Sequence, residues 1–327
     1  MEKNNQEECS VVPANRLQFF PIMMFAVIMG LSGLTIVFQK AEEILNTMNG
    51  VGFVLAQIDT LVFAVILVLY LAKMVKYFAE VKKEFNHPVR INFFAASAIS
   101  FLLLAIVYHP INLDIATYCF YIGTVMQTFF TFYTISFWIN KNLEIKHSNP
   151  AWFIPIVGNI LVPVAGGGIA DINLLMYYFS IGMFFWIVLT AILVNRIIFH
   201  NQLAVKFMPT MFIFIAPPAI ALIAYIKMYG EFDMFASLLY NLALFFTFLL
   251  LFMYKNFLNL KFFISWWAFT FPLAAVTIAS MLAFKLTNIA VYSYFSYFFL
   301  VITTLVVLIV LVRTIQHMMK KEICIEE

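Results

Sequence analysis

Ten apolar stretches, most of them long enough to cross a bilayer, leave this chain few folds to choose from. They cover residues 17–38, 53–71, 92–107, 115–139, 152–165, 174–199, 208–226, 234–253, 262–284 and 289–312. A helix needs roughly 20 predominantly apolar residues to span the hydrocarbon. The fifth stretch is short and is also readable as a half-span. Composition agrees: 64% of the residues are hydrophobic and 11% are charged. A soluble domain carries about 25% charged residues, and so few charges cannot coat a globule of this size.

The loops set the count and the orientation. With the N-terminus inside and spans alternating, sixteen of the 19 Lys and Arg fall inside, leaving only Lys40, Lys227 and Lys285 outside. That asymmetry is what the positive-inside rule expects. The reading is a multi-pass protein of the inner or plasma membrane with both termini cytoplasmic. Residues 1–16 and 313–327 are expected as short tails around a ten-helix domain at 17–312. The first 15 residues, with Glu2, Lys3, Glu7 and Glu8, are polar and mixed in charge, and a secretory signal peptide is not expected there.

Prolines divide the spans. Pro21, Pro88, Pro150, Pro155, Pro163, Pro209, Pro217, Pro218 and Pro272 lie in or open odd-numbered spans, and no even-numbered span contains one. Proline removes a backbone donor and kinks a helix. The carbonyls it frees need partners, so kinked helices belong inside protein or beside a cavity. The fold class expected is an all-α membrane protein built as five hairpins. Odd helices form an inner ring around a central passage, and unbroken, Phe- and Leu-rich even helices form an outer ring facing lipid. Pro88, Pro150 and Pro209 fit helix starts; Pro155, Pro163, Pro217, Pro218 and Pro272 read as kinks.

The residues exclude much chemistry. Cys9, Cys119 and Cys324 form no CxxC pair, and His87, His109, His147, His200 and His317 sit at helix ends or in loops, so no metal or cofactor is expected. No Walker, GxGxxG, HExxH or GxSxG motif occurs, which argues against an enzyme. No clustered basic face offers itself to nucleic acid. Intramembrane ionisable groups usually mark ion pathways, yet the odd spans are almost free of them. Arg90, beside His87, sits at the cytoplasmic mouth; Asp59 lies near the outer end of the second span and reads as a local hydrogen-bond partner. An uncharged, kinked passage favours anions through exposed backbone donors and helix N-termini. Gly30, Gly33 and Gly158 either bring backbone to the axis or serve close helix packing. Phe271 precedes Pro272, where a bulky ring could block a narrow passage; ordinary packing is the competing reading.

Five stretches carry a family resemblance: Phe20-Pro21 with FAVIMGLSGL over 25–34, HPVRINFF over 87–94, NPAWFIPIVGN over 149–159, Ala216-Pro217-Pro218, and WWAFTFP over 266–272. Together the chain resembles the tellurite-resistance/dicarboxylate transporter family, which includes the plant guard-cell slow anion channels. The resemblance implies ten helices in five hairpins, a pore lined by odd helices, and commonly a homotrimer with one pore per subunit. It implies that a phenylalanine of helix nine occludes the pore, matched here by Phe271, and that Gly30 matches a small pore-facing position. Plant members carry long phosphorylatable tails; here the stretches outside the spans are short, so control by tail phosphorylation is not expected. The function expected is a passive channel for small monovalent anions. The alternative is a secondary transporter or efflux protein for C4-dicarboxylate, sulfite or tellurite oxyanions. Small inorganic or organic anions and membrane lipid are the partners in either case.

Overall fold

The computed structural model describes residues 16–324; Cys9 and most of the expected N-terminal tail lie outside them. Among the described residues the chain is helical and holds no strand. The first hairpin is α1 (Phe25–Leu45) and α2 (Val51–Lys76), followed by the short α3 (Phe78–Phe85). The second is α4 (Ala95–Tyr108) with α5 (Leu113–Asn140). The third pairs a broken helix, α6 (Phe153–Val157) and α7 (Leu161–Gly166), with α8 (Ile172–Phe199). The last two are α9 (Ala216–Tyr229) with α10 (Met234–Phe252), and α11 (Thr270–Thr287) with α12 (Ala290–Met319). Helix α12 therefore runs past the expected boundary at 312.

Among the described residues, eight helices are long and apolar enough to cross a membrane. The two remaining expected spans fall short for opposite reasons. Helix α5 has the length, 28 residues, but is diluted by Thr, Tyr and Gln. The stretch Pro150–Gly166 is apolar but short.

Burial separates the helices into two classes. Over their most apolar windows, Ile22–Leu45, Arg90–Tyr108, Val205–Tyr229 and Ile264–Thr287 are 78–89% buried, whereas Val51–Lys76, Ile172–Phe199, Met234–Phe252 and Ala290–Met319 are 28–39% buried. Within Pro150–Gly166 every residue but Val164 is buried. The exposed class buries only one stripe each. In α2 that stripe is Gly52, Ala56, Asp59, Phe63, Ile66, Tyr70 and Lys73, at the three- and four-residue spacing of a helix face. Among the buried segments, α1 packs on α4, α4 on α7, α7 on α9, α9 on α11, and α11 on α1 again. Each also packs on its own hairpin partner.

Every buried segment begins in 3₁₀ form: Ile22–Met24, Arg90–Phe93, Pro150–Trp152, Val205–Ile215 and Ile264–Phe269. The third is broken again at Gly158–Ile160. The prolines mark where α-helix resumes. Pro155, Pro163, Pro218 and Pro272 are each the third residue of an α-helical segment, and Pro217 is the second of its own. In the first turn a missing N–H costs nothing. The five prolines read as mid-span kinks are thus first-turn residues of restarted helices, and the departure from a straight helix is the 3₁₀ stretch before them.

Side chains add hydrogen bonds to the carbonyls of these irregular stretches. Ser97 Oγ donates to Phe94 O at 2.6 Å, Thr210 Oγ1 to Phe207 O at 2.6 Å, and Thr270 Oγ1 to Trp267 O at 2.7 Å. Asn92 Nδ2 reaches the Pro88 and Val89 carbonyls, and Asn159 Nδ2 the Ile156 carbonyl. In the third segment help comes from the neighbouring helix: Gln127 Nε2 and Thr131 Oγ1 of α5 both donate to Pro155 O at 2.9 Å. Buried polar groups in hydrocarbon require such partners.

One buried ion pair fastens α3. Lys73 Nζ lies 2.8 Å from Glu84 Oε2 and donates to Phe20 O at 2.8 Å, while Tyr70 Oη donates to the same carboxylate at 3.1 Å. Lys73, counted by position among loop cations, is in fact an internal one. It is tolerable inside because both charges are matched and hydrogen-bonded.

Candidate permeation path

The five buried segments share one direction, so their N-terminal ends define a lower end of the molecule and their C-terminal ends an upper end. A cavity opens at each. The lower one has a volume of about 60 Å³ and is lined almost wholly by apolar side chains from all five segments, among them Ala26, Phe93, Phe153, Pro217 and Ala268. The upper one is about 880 Å³ and collects Gln39, Lys40, Glu42, Glu43, His109, Lys227 and Lys285 around its rim.

Three residues line both cavities: Leu161 of α7, Ile220 of α9 and Phe271 of α11. All three are buried. They form the wall between the two spaces. Phe271 is positioned by its element: it is the second residue of α11, just after the Ile264–Phe269 turn and before Pro272. The preceding turn is anchored by Trp267, whose Nε1 donates to Thr314 Oγ1 of α12 at 3.0 Å. Gly33 of α1 lies behind the ring; a Cβ there would sit 3.4 Å from Phe271 Cδ2 and 3.0 Å from Ala274 Cβ.

Of the residues singled out in the sequence, Gly158, Pro217, Phe271 and Pro272 line the lower cavity. Gly30, Gly33, Pro155, Pro163 and Pro218 line neither cavity. Gly30 faces the Trp267 ring and the Thr270 hydroxyl, so its smallness serves the contact between α1 and α11. His87 and Arg90 sit at the lower end beside the Arg90–Phe93 turn, where His87 Nδ1 accepts from the Val89 and Arg90 amides at 3.1 and 3.2 Å; neither lines the cavity. Asp59 lies between α1 and α2 with Oδ2 accepting from Ser32 Oγ at 2.6 Å, away from both cavities.

Sequence reasoning missed Leu161 and Ile220, two aliphatic residues among many. It also missed that the three exceptional lysines, Lys40, Lys227 and Lys285, all face the upper cavity. Their shared failure to obey the charge asymmetry was the available signal. No group of His, Cys, Asp or Glu among the described residues could hold a metal.

Comparison with known proteins places these features in company. The model of the family described as voltage-dependent anion channel, SLAC1, matches residues 19–315. The S-type anion channel SLAH2 of Arabidopsis thaliana is 30% identical over 294 residues, 86% of this chain and 56% of the plant protein. An uncharacterized transporter of Methanocaldococcus jannaschii is 27% identical over 330 residues, 93% of this chain and 96% of its own. The tellurite resistance protein TehA homolog of Haemophilus influenzae is 28% identical over 272 residues, 82% of each chain. The chain thus spans about half the length of the plant channel and nearly all of the archaeal one.

Proposed function

The chain belongs to the SLAC1 family of voltage-dependent anion channels, and from that premise we propose that it is a passive channel for small monovalent anions, closed at Phe271. The observation that carries this reading is the wall of Phe271, Leu161 and Ile220 between two cavities at opposite ends of the molecule. In this proposal the closed order of α1, α4, α7, α9 and α11 is a ring around the path. The lower end faces the cytoplasm, following the lysine and arginine asymmetry. The homotrimer implied by the resemblance, with one path per subunit, is part of the proposal.

The chemistry follows from the lining. An anion entering the narrow apolar lower cavity sheds most of its water, and unsatisfied desolvation is costly. Selectivity then comes from width and hydration rather than from a fixed charge. An oxyanion carrier, suggested by the tellurite-resistance relative, would want a titratable carboxylate on the path. The two carboxylates that do line the upper cavity are already engaged, Glu42 by the Gly52 amide and Glu43 by Lys40 and Lys285. Asp59 is off both cavities and Glu84 is locked to Lys73, so the lining favours the channel.

The test is a planar-bilayer recording of wild type against Phe271→Ala. The alanine variant is expected to carry a larger anion current. Equal currents would remove Phe271 as the gate, and saturable flux driven by a proton gradient would replace the channel with a carrier.

A further inference from the structure

The upper cavity holds an arrangement that conduction alone does not require. Lys40, Lys227 and Lys285 come from three separate segments, α1, α9 and α11, yet all face this one space. They are unequally occupied. The Glu43 carboxylate bridges two of them, with Oε2 2.5 Å from Lys40 Nζ and Oε1 2.6 Å from Lys285 Nζ. Glu42 is committed elsewhere, accepting from the Gly52 amide at 2.7 Å. Lys227 has no ion pair among the described residues, although it faces the same cavity.

Lys227 is also held in place. The Gly166-Gly167-Gly168 turn closes the end of α7 against its stem: a Cβ on Gly167 would come within 2.6 Å of Lys227 Cε. Gly168, at φ +86°, sets the same turn beside the His109 ring. His109 Nε2 is buried and has no hydrogen-bond partner, while facing the cavity that holds Lys227. A buried polar atom without a partner is costly. A species from the cavity can satisfy it: an anion when the ring is protonated, or a water of the anion's shell when it is neutral.

We propose that the upper cavity contains an anion-binding site centred on Lys227 and His109, with Glu43 as a built-in carboxylate that occupies the neighbouring Lys40–Lys285 pair. Its ligand is a small inorganic anion of the kind the path conducts, so the inference rests on the channel reading and deepens it. The site concentrates anions at the outer mouth. Glu43 limits how tightly they are held, because a site that binds too well does not release.

Chloride itself is the probe, followed by ³⁵Cl NMR line broadening on purified full-length protein, a readout independent of permeation. Wild type broadens the line in a saturable way. Lys227→Gln weakens chloride binding about tenfold, as loss of a charge-assisted partner should, and Lys227→Arg restores most of it. Gly167→Ala, which displaces the ammonium, also weakens it. Glu43→Gln tightens it, and Lys83→Gln, at the opposite end, changes nothing. Unchanged binding in a folded Lys227→Gln protein overturns the site, as does weaker binding in Glu43→Gln. The Phe271→Ala current decides the other question separately: a lost site with the current intact leaves the channel standing, and an intact site without current refutes the channel alone.

Discussion

Single residues near the wall are small, aromatic or titratable for different reasons, and substitution separates them. Gly30 lies against the Trp267 ring and Thr270 hydroxyl, and a Cβ would approach Trp267 Cε3 to 2.6 Å. The tryptophan is fully buried and pinned to Thr314, so it cannot retreat. Gly30→Ala should cost about 1–3 kcal/mol by overpacking, read as a lowered midpoint in a thermal melt of the detergent-solubilised protein. The small residue was visible in the sequence, but its neighbour was not, since Gly30 and Trp267 are joined only by the fold. His109 carries a pH prediction. Burial, then the positive charge of Lys227, holds its pKa below the ordinary imidazole value, with the nearby Gly167 backbone opposing and Lys40 reinforcing. The charged groups that share its cavity are Lys227 from α9, Lys40, Glu42 and Glu43 from α1 and Lys285 from α11. The ring is therefore neutral at pH 7, and its contribution to stability is present above the unfolded-state pKa and lost as pH falls. In the proposed orientation, acidifying the outer side protonates it and adds positive charge to the upper cavity. Anion current through Phe271→Ala channels should rise as outer pH drops from about 7 to 5, across the imidazole range, and the rise should vanish in Phe271→Ala/His109→Gln.

Elements of the buried class owe their irregularity to a shared device, a 3₁₀ start followed by a proline in the first α-helical turn. Sequence showed which spans are irregular, because proline is a local signal. It did not show the form, because a first-turn proline and a mid-helix kink look alike until the helix start is known. Helix α5 was equally opaque. Its Thr and Gln content dilutes it as a membrane span, but Thr124, Gln127, Thr131 and Thr134 lie on its buried stripe. Two of them do the broken helix's hydrogen bonding: Gln127 and Thr131 donate to Pro155 O, and Thr131 Oγ1 accepts from Asn159 Nδ2 at 2.9 Å. Thr131→Val keeps the shape and removes both links. It leaves Asn159 with Ile156 O alone and Pro155 O with Gln127 alone. The expected loss is about 1–3 kcal/mol. Adding Gln127→Leu, which orphans the carbonyl, should cost more than the sum of the single changes, because the two donors back each other up. Thermal melts of the four proteins in one detergent measure that coupling.

Across the whole molecule, the division into buried and exposed helices was legible because charge, proline and burial follow the same alternation of spans. Whether copies of the chain meet was not, because an apolar face suits lipid and a second copy equally. Neither was the composition of the wall, since Leu161, Ile220 and Phe271 belong to three segments and meet only when these pack together. That convergence makes a graded test. If Phe271 alone closes the path, removing its ring joins the cavities and further trimming adds little. The lining shows two aliphatic side chains remaining at the same level. Phe271→Ala should therefore pass chloride while the constriction at Leu161 and Ile220 still excludes a bulky organic anion such as gluconate. Phe271→Ala/Leu161→Ala/Ile220→Ala should admit gluconate, raising its permeability relative to chloride with a smaller proportional gain in chloride current. Each aliphatic truncation also costs about 2–5 kcal/mol of packing, so melts must accompany the recordings. If folded triple-variant channels keep the chloride-to-gluconate ratio of Phe271→Ala, the narrowest point lies elsewhere, and the apolar lower cavity sets the size limit.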